Sequence, residues 1–305
     1  MKLVIINADD LGMSISTNLA INNAFKRGLL TSASLIVNMP AYAHAVEHVV
    51  QNNTNKGIGL HITLTEGKSV LNKLEIPLLV DNNGFFKNGF LNIYYKIKTN
   101  RDILKQIDAE INAQFEKACL DGITLDHVNG HHHVHMIPPI FDLVIKSAKK
   151  YQCPAVRFAY EQFPLPHRGW YAIYYFLPFV NGNIVKKIIL SFLAKLIKNS
   201  NNNIFRPDYC FGILHSGCMD VRKFRYIFNC IREGTTEIIV HPSLQNSRIP
   251  DGMYTSRTKA WLQSGARQVE YDALIDENLQ YDITRNNIRL IRFRDAFSAS
   301  ELKIP

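Results

Sequence analysis

The sequence predicts an α/β protein with a mostly parallel sheet, open or closed into a barrel, on three observations. Short apolar runs alternate with helical patterns along the chain, and apolar residues recur at helical spacing between those runs. Five of the runs end in an ionisable side chain. Strands that alternate with helices argue for a parallel sheet, open or closed into a barrel. A chain of 305 residues can bury a full core, and length alone allows one large barrel or two small domains equally; a single domain over residues 1–305 is expected, with the stretch at about 163–208 standing apart from the alternation. The hydrophobic content of 47% and charged content of 20% set aside a disordered chain.

Leu3–Ile6 reads as the first strand. It is too short for the apolar region of a signal peptide and charge follows at once. Ser16 to Arg27 reads as a helix that Gly28 closes. Leu35–Val37 is a second strand, Ala41–Val50 a helix and Ile58–Leu60 a third strand. Ile103, Ile107, Ile111 and Phe115 recur at i+4 and give a helix ended by Gly122. Ile123–Leu125, Ala155–Phe158, Ile238–Val240 and Leu290–Phe293 read as further buried strands. Two stretches break the alternation. Glu66 to Asn100 is a long connection with a turn at Asp81–Gly84, and Phe163 to Asp208 is longer and carries two apolar clusters. Connections of that length usually carry function or cover a site.

Five cysteines without a C-x-x-C pair suggest neither a disulfide framework nor a thiolate zinc site, so a reducing compartment, the cytoplasm, is expected. No apolar stretch reaches the roughly 18 residues of a membrane span. The net charge of +9 could serve nucleic acid or a phospholipid surface. A lysine-rich solvated surface is the plainer account, and no nucleic-acid motif stands behind the charge.

The strand ends carry the functional argument. Val4-Ile-Ile-Asn7 leads into Asp9 and Asp10, Ile58-Gly-Leu60 into His61, and Ile123-Thr-Leu125 into Asp126-His127 and then His131-His132-His133. Ala155-Val156 leads into Arg157, and Ile238-Ile-Val240 into His241. The carboxyl ends of parallel barrel strands converge on one mouth, so these groups are expected to share a site. Imidazole and carboxylate suit a catalytic divalent ion that keeps a position open for water. Two adjacent carboxylates allow one to ligate and the other to accept a proton. Taken alone, Asp9-Asp10 could cap a helix, and His61 could be a satisfied structural histidine. Four histidines within residues 131–135 favour metal or acid–base chemistry. Extended, His131, His133 and His135 share a face; helical, His131 and His135 do. His44 and His48 read as surface residues.

Asn7-Ala-Asp-Asp-Leu-Gly12, Gly59-Leu-His-Ile-Thr-Leu-Thr65, His131-His-His-Val-His-Met136 and Val240-His-Pro242 together resemble the YdjC-like carbohydrate deacetylases, which include chitooligosaccharide deacetylases. The resemblance runs in order from residue 2 to about 295. It implies a deformed βα barrel with Asp10, His61 and His131 as metal ligands, magnesium as the usual ion and zinc as the alternative. It further implies Asp9 as general base, His241 as the acid that protonates the departing amine, and Arg157 as the residue that orients Asp9. His133 and His135 would then support the ligands or touch substrate.

Between Phe163 and Asp208 the chain departs from the shorter members and resembles those that deacetylate a lipid-carried N-acetylglucosamine. Phe211-Gly-Ile-Leu-His-Ser-Gly217 resembles the same subgroup and brings in His215 as a substrate contact. The expected reaction is metal-assisted hydrolysis of an N-acetyl group on an amino sugar, without a covalent intermediate; there is no G-x-S-x-G elbow. A barrel phosphoesterase or another amidohydrolase is the rival enzyme, and a non-catalytic sugar-binding protein at a membrane is the rival binder. Trp170 to Val180 and the run Val185, Ile188, Ile189, Phe192, Leu193 and Leu196, opposite Lys186, Lys187, Lys195 and Lys198, suggest an interfacial helix at the inner membrane face. A lid on the barrel or a homodimer contact would use the same residues.

Overall fold

A computed structural model of the chain describes residues 1–162, 183–198, 203–245 and 254–301. Its described strands are β1 (Lys2–Leu11), β2 (Ser32–Leu35), β3 (Gly57–Ile62), β4 (Val128–Gly130), β5 (Tyr209–Phe211), β6 (Gly234–Val240) and β7 (Ile288–Leu290). All pair in parallel in the order β4-β3-β2-β1-β6-β5, and β7 lies against the first residues of β1. Single bridges Val128–Val156, Ala155–Phe205 and Glu161–Cys210 carry the sheet from β4 round towards β5. The result is a curled, barrel-like, mostly parallel α/β sheet, the rolled one of the two forms that the alternation allows.

Side chains on these strands alternate between the helices outside and the barrel interior. Val4, Ile6, Ala8, Ala33, Leu35, Ile58, Leu60 and Ile62 face outward and are fully or almost fully buried in the main core. Burying each large one contributes roughly 1.5–3 kcal/mol. The helix Ile15–Arg27 covers part of this face with Ile21, Ala24 and Phe25, and it starts where the Ser14 side chain accepts from the Thr17 amide. Inside, Ile5, Ala155, Ile291 and Phe293 close the bottom of the barrel. His127 stacks on Phe293 with ring centroids 4.0 Å apart. A Cβ on Gly59 would lie 2.4 Å from the His127 ring, so only glycine leaves that ring its place.

Four expectations shift. The second strand is Ser32–Leu35 and not Leu35–Val37. Ile123 and Leu125 are buried but outside the strand; pairing with β3 starts at the Asp126 amide, 2.8 Å from the Ile58 carbonyl, and β4 proper is Val128–Gly130. Ala155–Phe158 makes only single bridges. Phe293 opens the last helix, leaving Ile288–Leu290 as the strand. The turn at Asp81–Gly84 forms as expected, with Asp81 Oδ1 accepting from the Asn83 and Phe85 amides at 2.8 and 2.9 Å.

Within the long stretch from Phe163 to Asp208, Asn183–Ile197 is a helix. Its lysines do not all lie on the far side, as the spacing suggested. Lys187 is buried with Leu190, Leu193, Ala194 and Ile197, while Val185, Ile188, Phe192 and Leu196 are 57%, 63%, 57% and 55% exposed. The aromatic run Trp170 to Val180 lies outside the described residues.

Candidate active site

In a regular strand Asp9 and Asp10 would point to opposite faces of the sheet. The β1–β2 register slips between Ala8 and Leu11, and Asp10 sits in the left-handed region at φ 68°. One extra residue in β1 therefore turns both carboxylates into the mouth. Gly12, at φ +90°, completes the turn, and its amide donates to Asn18 Oδ1 at 2.8 Å. The cap of the following helix is Ser14, so the Asp pair is free of that duty.

Asp10 meets His61 from β3 and His131 from the turn after β4. Asp10 Oδ1 lies 3.3 Å from His131 Nδ1 and 3.8 Å from His61 Nε2. One ligand atom from each of the three comes within 4.8 Å of the others, and all three side chains are buried. Ligand bonds of about 2.1 Å set neighbouring donors of one ion roughly 3.0–3.4 Å apart, close to these spacings. The donor set thus fits a divalent ion. The histidine tract is neither extended nor α-helical: His132 and His133 take left-handed φ of 53° and 55° inside a tight 3₁₀ turn, and the His132 ring lies against that of His131 with centroids 4.0 Å apart.

Asp9 is held differently. Arg157 Nη1 and Nη2 donate to its two oxygens at 2.7 Å each, while Arg157 Nε donates to Glu237 at 2.8 Å. Asn7 and Asn129 donate to Asp9 Oδ1 at 3.0 and 3.2 Å, and both also reach Ser34 Oγ. Burial would raise the Asp9 pKa, but Arg157, His61 and His241 outweigh it and hold the carboxyl far below its ordinary range. Asp10 is likewise held well below the usual range against burial by His131 and Arg267. Burial lowers His131, yet the Asp10 and Glu66 carboxylates push it up to about 9.

His241 follows β6, with Nε2 3.8 Å from Asp9 Oδ2 and Nδ1 3.5 Å from Ser216 Oγ. Burial pushes its pKa down to about 4. Its backbone is pinned: the amide donates to Glu270, and the carbonyl accepts from Arg267 Nε at 3.0 Å. Arg267 Nη1 also lies 3.2 Å from Asp10 Oδ2.

Asp9, Asp10, His61, His131, Arg157 and His241 therefore meet as their strand ends suggested. His133 is buried beside them, with Lys186 and Arg157 among its charged neighbours. His135 is enclosed next to Arg157 and His61. His215 is enclosed too, and its charged neighbours are Lys223 and Asp220; the next residue, Ser216, is the one that reaches His241. His44 is half-buried against Asn18, and His48 is exposed.

Sequence reading missed Asn7, Ser34, Asn129 and Glu237, although polar or small residues at alternate positions of Asn7-Ala-Asp9 and Ser32-Ala-Ser34 mark an inward face. It missed Glu66, Arg267 and Glu270, which lie off the strands and carry no such signal. Lys186, on the helix Asn183–Ile197, is near enough for its charge to be felt at Asp9, Asp10 and Glu161, and burial pulls its pKa down to about 8.

A carbohydrate deacetylase of Geobacillus stearothermophilus is 33% identical to the chain over 299 residues, 97% of this chain and 98% of its own length. One from Thermoanaerobacter pseudethanolicus is 28% identical over 295 residues, 96% of this chain and 98% of its own. The crystal structure of an Enterococcus faecalis protein, provisionally named a cellobiose-phosphate cleavage protein, has the same fold: TM-score 0.71 at 24% identity, over 96% of this chain and 98% of that one. Residues 3–285 match the YdjC-like protein family, and the chain belongs to that family.

Proposed function

We propose that this chain is a divalent-metal-dependent hydrolase that removes the N-acetyl group from an amino sugar. The observation that carries the proposal is the buried Asp10, His61 and His131 cluster beside the Arg157-clasped Asp9. The carbohydrate deacetylases to which the chain is similar along almost their whole length support the substrate class.

Asp10, His61 and His131 would hold the ion. When bound, a divalent ion lowers the pKa of water and draws charge from the acetyl carbonyl. Asp9, ionised and aimed by Arg157, takes the proton of the attacking water. His241 stands 3.8 Å away and gives a proton to the departing nitrogen. With its pKa near 4 the resting imidazole is neutral, so the proton it delivers is gained within the reaction, and Asp9 is the neighbour that holds one. Each proton transfer contributes roughly 10²–10⁴-fold. His133 and Lys186 would face the sugar, with His135 and His215 supporting from behind.

Magnesium is the ion the resemblance implies. Two imidazoles among three ligands also suit zinc. Acetate release from GlcNAc oligomers and from lipid-linked GlcNAc, with and without a chelator, tests the proposal. Activity should vanish with chelator and return with one of the two ions. Acetate release indifferent to chelator sinks the metal requirement; hydrolysis of a phosphomonoester without acetate release sinks the deacetylase.

The exposed stripe Val185, Ile188, Phe192 and Leu196 favours a finer reading, in which a cytoplasmic enzyme touches the inner membrane face and meets a lipid-carried sugar there. Among the described residues no helix is long and apolar enough to cross a membrane. A homodimer contact is the competing use of the stripe.

A further inference from the structure

The two histidines of the cluster are braced from outside it. His61 Nδ1 lies 2.5 Å from Asn129 Oδ1, which accepts its proton and leaves Nε2 to face Asp10. The matching group on His131 is Glu66: its Oε2 lies 3.5 Å from His131 Nε2, whose other ring nitrogen, Nδ1, faces Asp10 at 3.3 Å. Glu66 is 5% exposed and is itself fixed. Thr258 Oγ1 donates to Glu66 Oε1 at 2.5 Å, with Thr255 Oγ1 3.5 Å from the same oxygen. Thr63 Oγ1 donates to the Glu66 carbonyl at 2.8 Å.

The bracing is reciprocal. The β3 end supplies His61 together with the carboxylate that faces His131. The β4 end supplies His131 together with the amide that faces His61. Each segment thus carries one ligand and the orienting partner of the other.

We propose that Glu66 is a positioning residue that accepts the Nε2 proton of His131 and so commits Nδ1 to the ion. A carboxylate behind a ligating imidazole fixes its tautomer and ring orientation and raises its basicity. The 3.5 Å separation tightens to a hydrogen bond with a small rotation of the ring. A rival use of the same atoms exists, because Glu66, His131 and His132 also bring ligand atoms within 4.8 Å of one another. His132 is exposed, whereas Glu66 and His131 are buried, and its Nδ1 meets Thr65 Oγ1 at 2.9 Å. These observations favour a single ion with Glu66 behind it.

The inference rests on the metal reading above, and the test separates the two. In the zinc-loaded protein with ¹⁵N-labelled histidine, His131 should show a metal-bound Nδ1 and a protonated Nε2. Titration with Mn²⁺ followed by electron paramagnetic resonance should give one ion per chain. Glu66→Ala should weaken Mn²⁺ binding by roughly 10–100-fold while the stoichiometry stays at one. Glu66→Gln, which keeps an accepting oxygen, should recover most of the loss. A metal-bound Nε2 in the wild-type protein overturns the inference and leaves the metal reading intact. Two ions per chain, falling to one in Glu66→Ala, would make Glu66 a ligand and overturn it as well. No Mn²⁺ binding by the wild-type chain overturns both. The zinc-loaded spectrum needs no variant, so the inference stays testable even if Glu66→Ala fails to fold.

Discussion

Asp9 and Asp10 are adjacent and alike, and only their partners divide the labour between them. Asp10 turns one oxygen to two imidazoles, whereas both oxygens of Asp9 accept a hydrogen bond from Arg157 and Oδ2 keeps capacity to accept another. Asp9→Asn is therefore expected to keep the ion and lose rate by on the order of 10²-fold or more. Metal titration beside acetate release checks this, and loss of the ion instead would exchange the two roles. Breaking a buried ion pair also costs stability, here about 3 kcal/mol, at the low end of the range because Glu237 still faces Arg157. A second prediction concerns pH. Burial lowers His135 from the usual 6.5 to about 3 in the folded chain. Below 6.5 the unfolded chain then binds the extra proton, so this contribution is complete above pH 6.5 and lost progressively as pH falls towards 3. Between pH 7 and pH 5 the loss from His135 alone is about 2 kcal/mol. In urea titrations at the two pH values, His135→Gln should lose that much less than the wild-type chain. Equal losses would show that His135 does not carry this proton linkage.

At the scale of elements, the strand ends were legible because two independent periods met there. Apolar runs of strand length stop at a titratable group, and the helices between them fix which end is which. That logic reached Asp10, His61, His131, Arg157 and His241. It could not reach the bulge, since nothing in Asn7-Ala-Asp-Asp-Leu-Gly12 states that a register slip will turn neighbouring carboxylates to one side. Nor could it reach the His131 turn, where left-handed backbone at His132 and His133 replaces both regular options. Arg267 and Glu270 come from a helix near the chain end, and only the closed barrel brings them to His241. The bulge turn is open to a test at Gly12. A Cβ there would sit 2.8 Å from the Ile36 carbonyl oxygen at φ +90°, which glycine alone adopts without strain. Gly12→Ala should destabilise the protein by about 2 kcal/mol and lower its metal affinity at the same time. Urea unfolding and metal titration of one preparation read both effects; normal affinity in a destabilised variant would uncouple the turn from the site.

For the whole molecule, the helix Asn183–Ile197 links the site to a surface. One side of it buries Leu190, Ala194 and Ile197 in the main core and brings the charge of Lys186 within reach of the carboxylates, while the other leaves an apolar stripe beside exposed Lys195 and Lys198. Isolated exposed apolar residues are ordinary, but four in a row at helical spacing leave apolar area that water does not favour. Lysines flanking such a stripe complement anionic headgroups, and each contributes about 1 kcal/mol near an anionic surface. A single helix face of this length holds a protein at a membrane weakly and reversibly, so binding should depend on both lipid charge and the apolar residues. The wild-type chain is expected to float with vesicles containing anionic lipid and to stay behind with neutral ones or at high salt. Ile188→Ser combined with Phe192→Ser, two positions that point away from the site, should abolish flotation and slow deacetylation of vesicle-borne substrate. Hydrolysis of short soluble oligomers should be unchanged in the same variant. If the wild-type chain never floats, but sediments as a dimer that the double variant dissociates, the stripe belongs to a second copy of the chain. The lipid-carried sugar then gives way to a free oligosaccharide as the substrate.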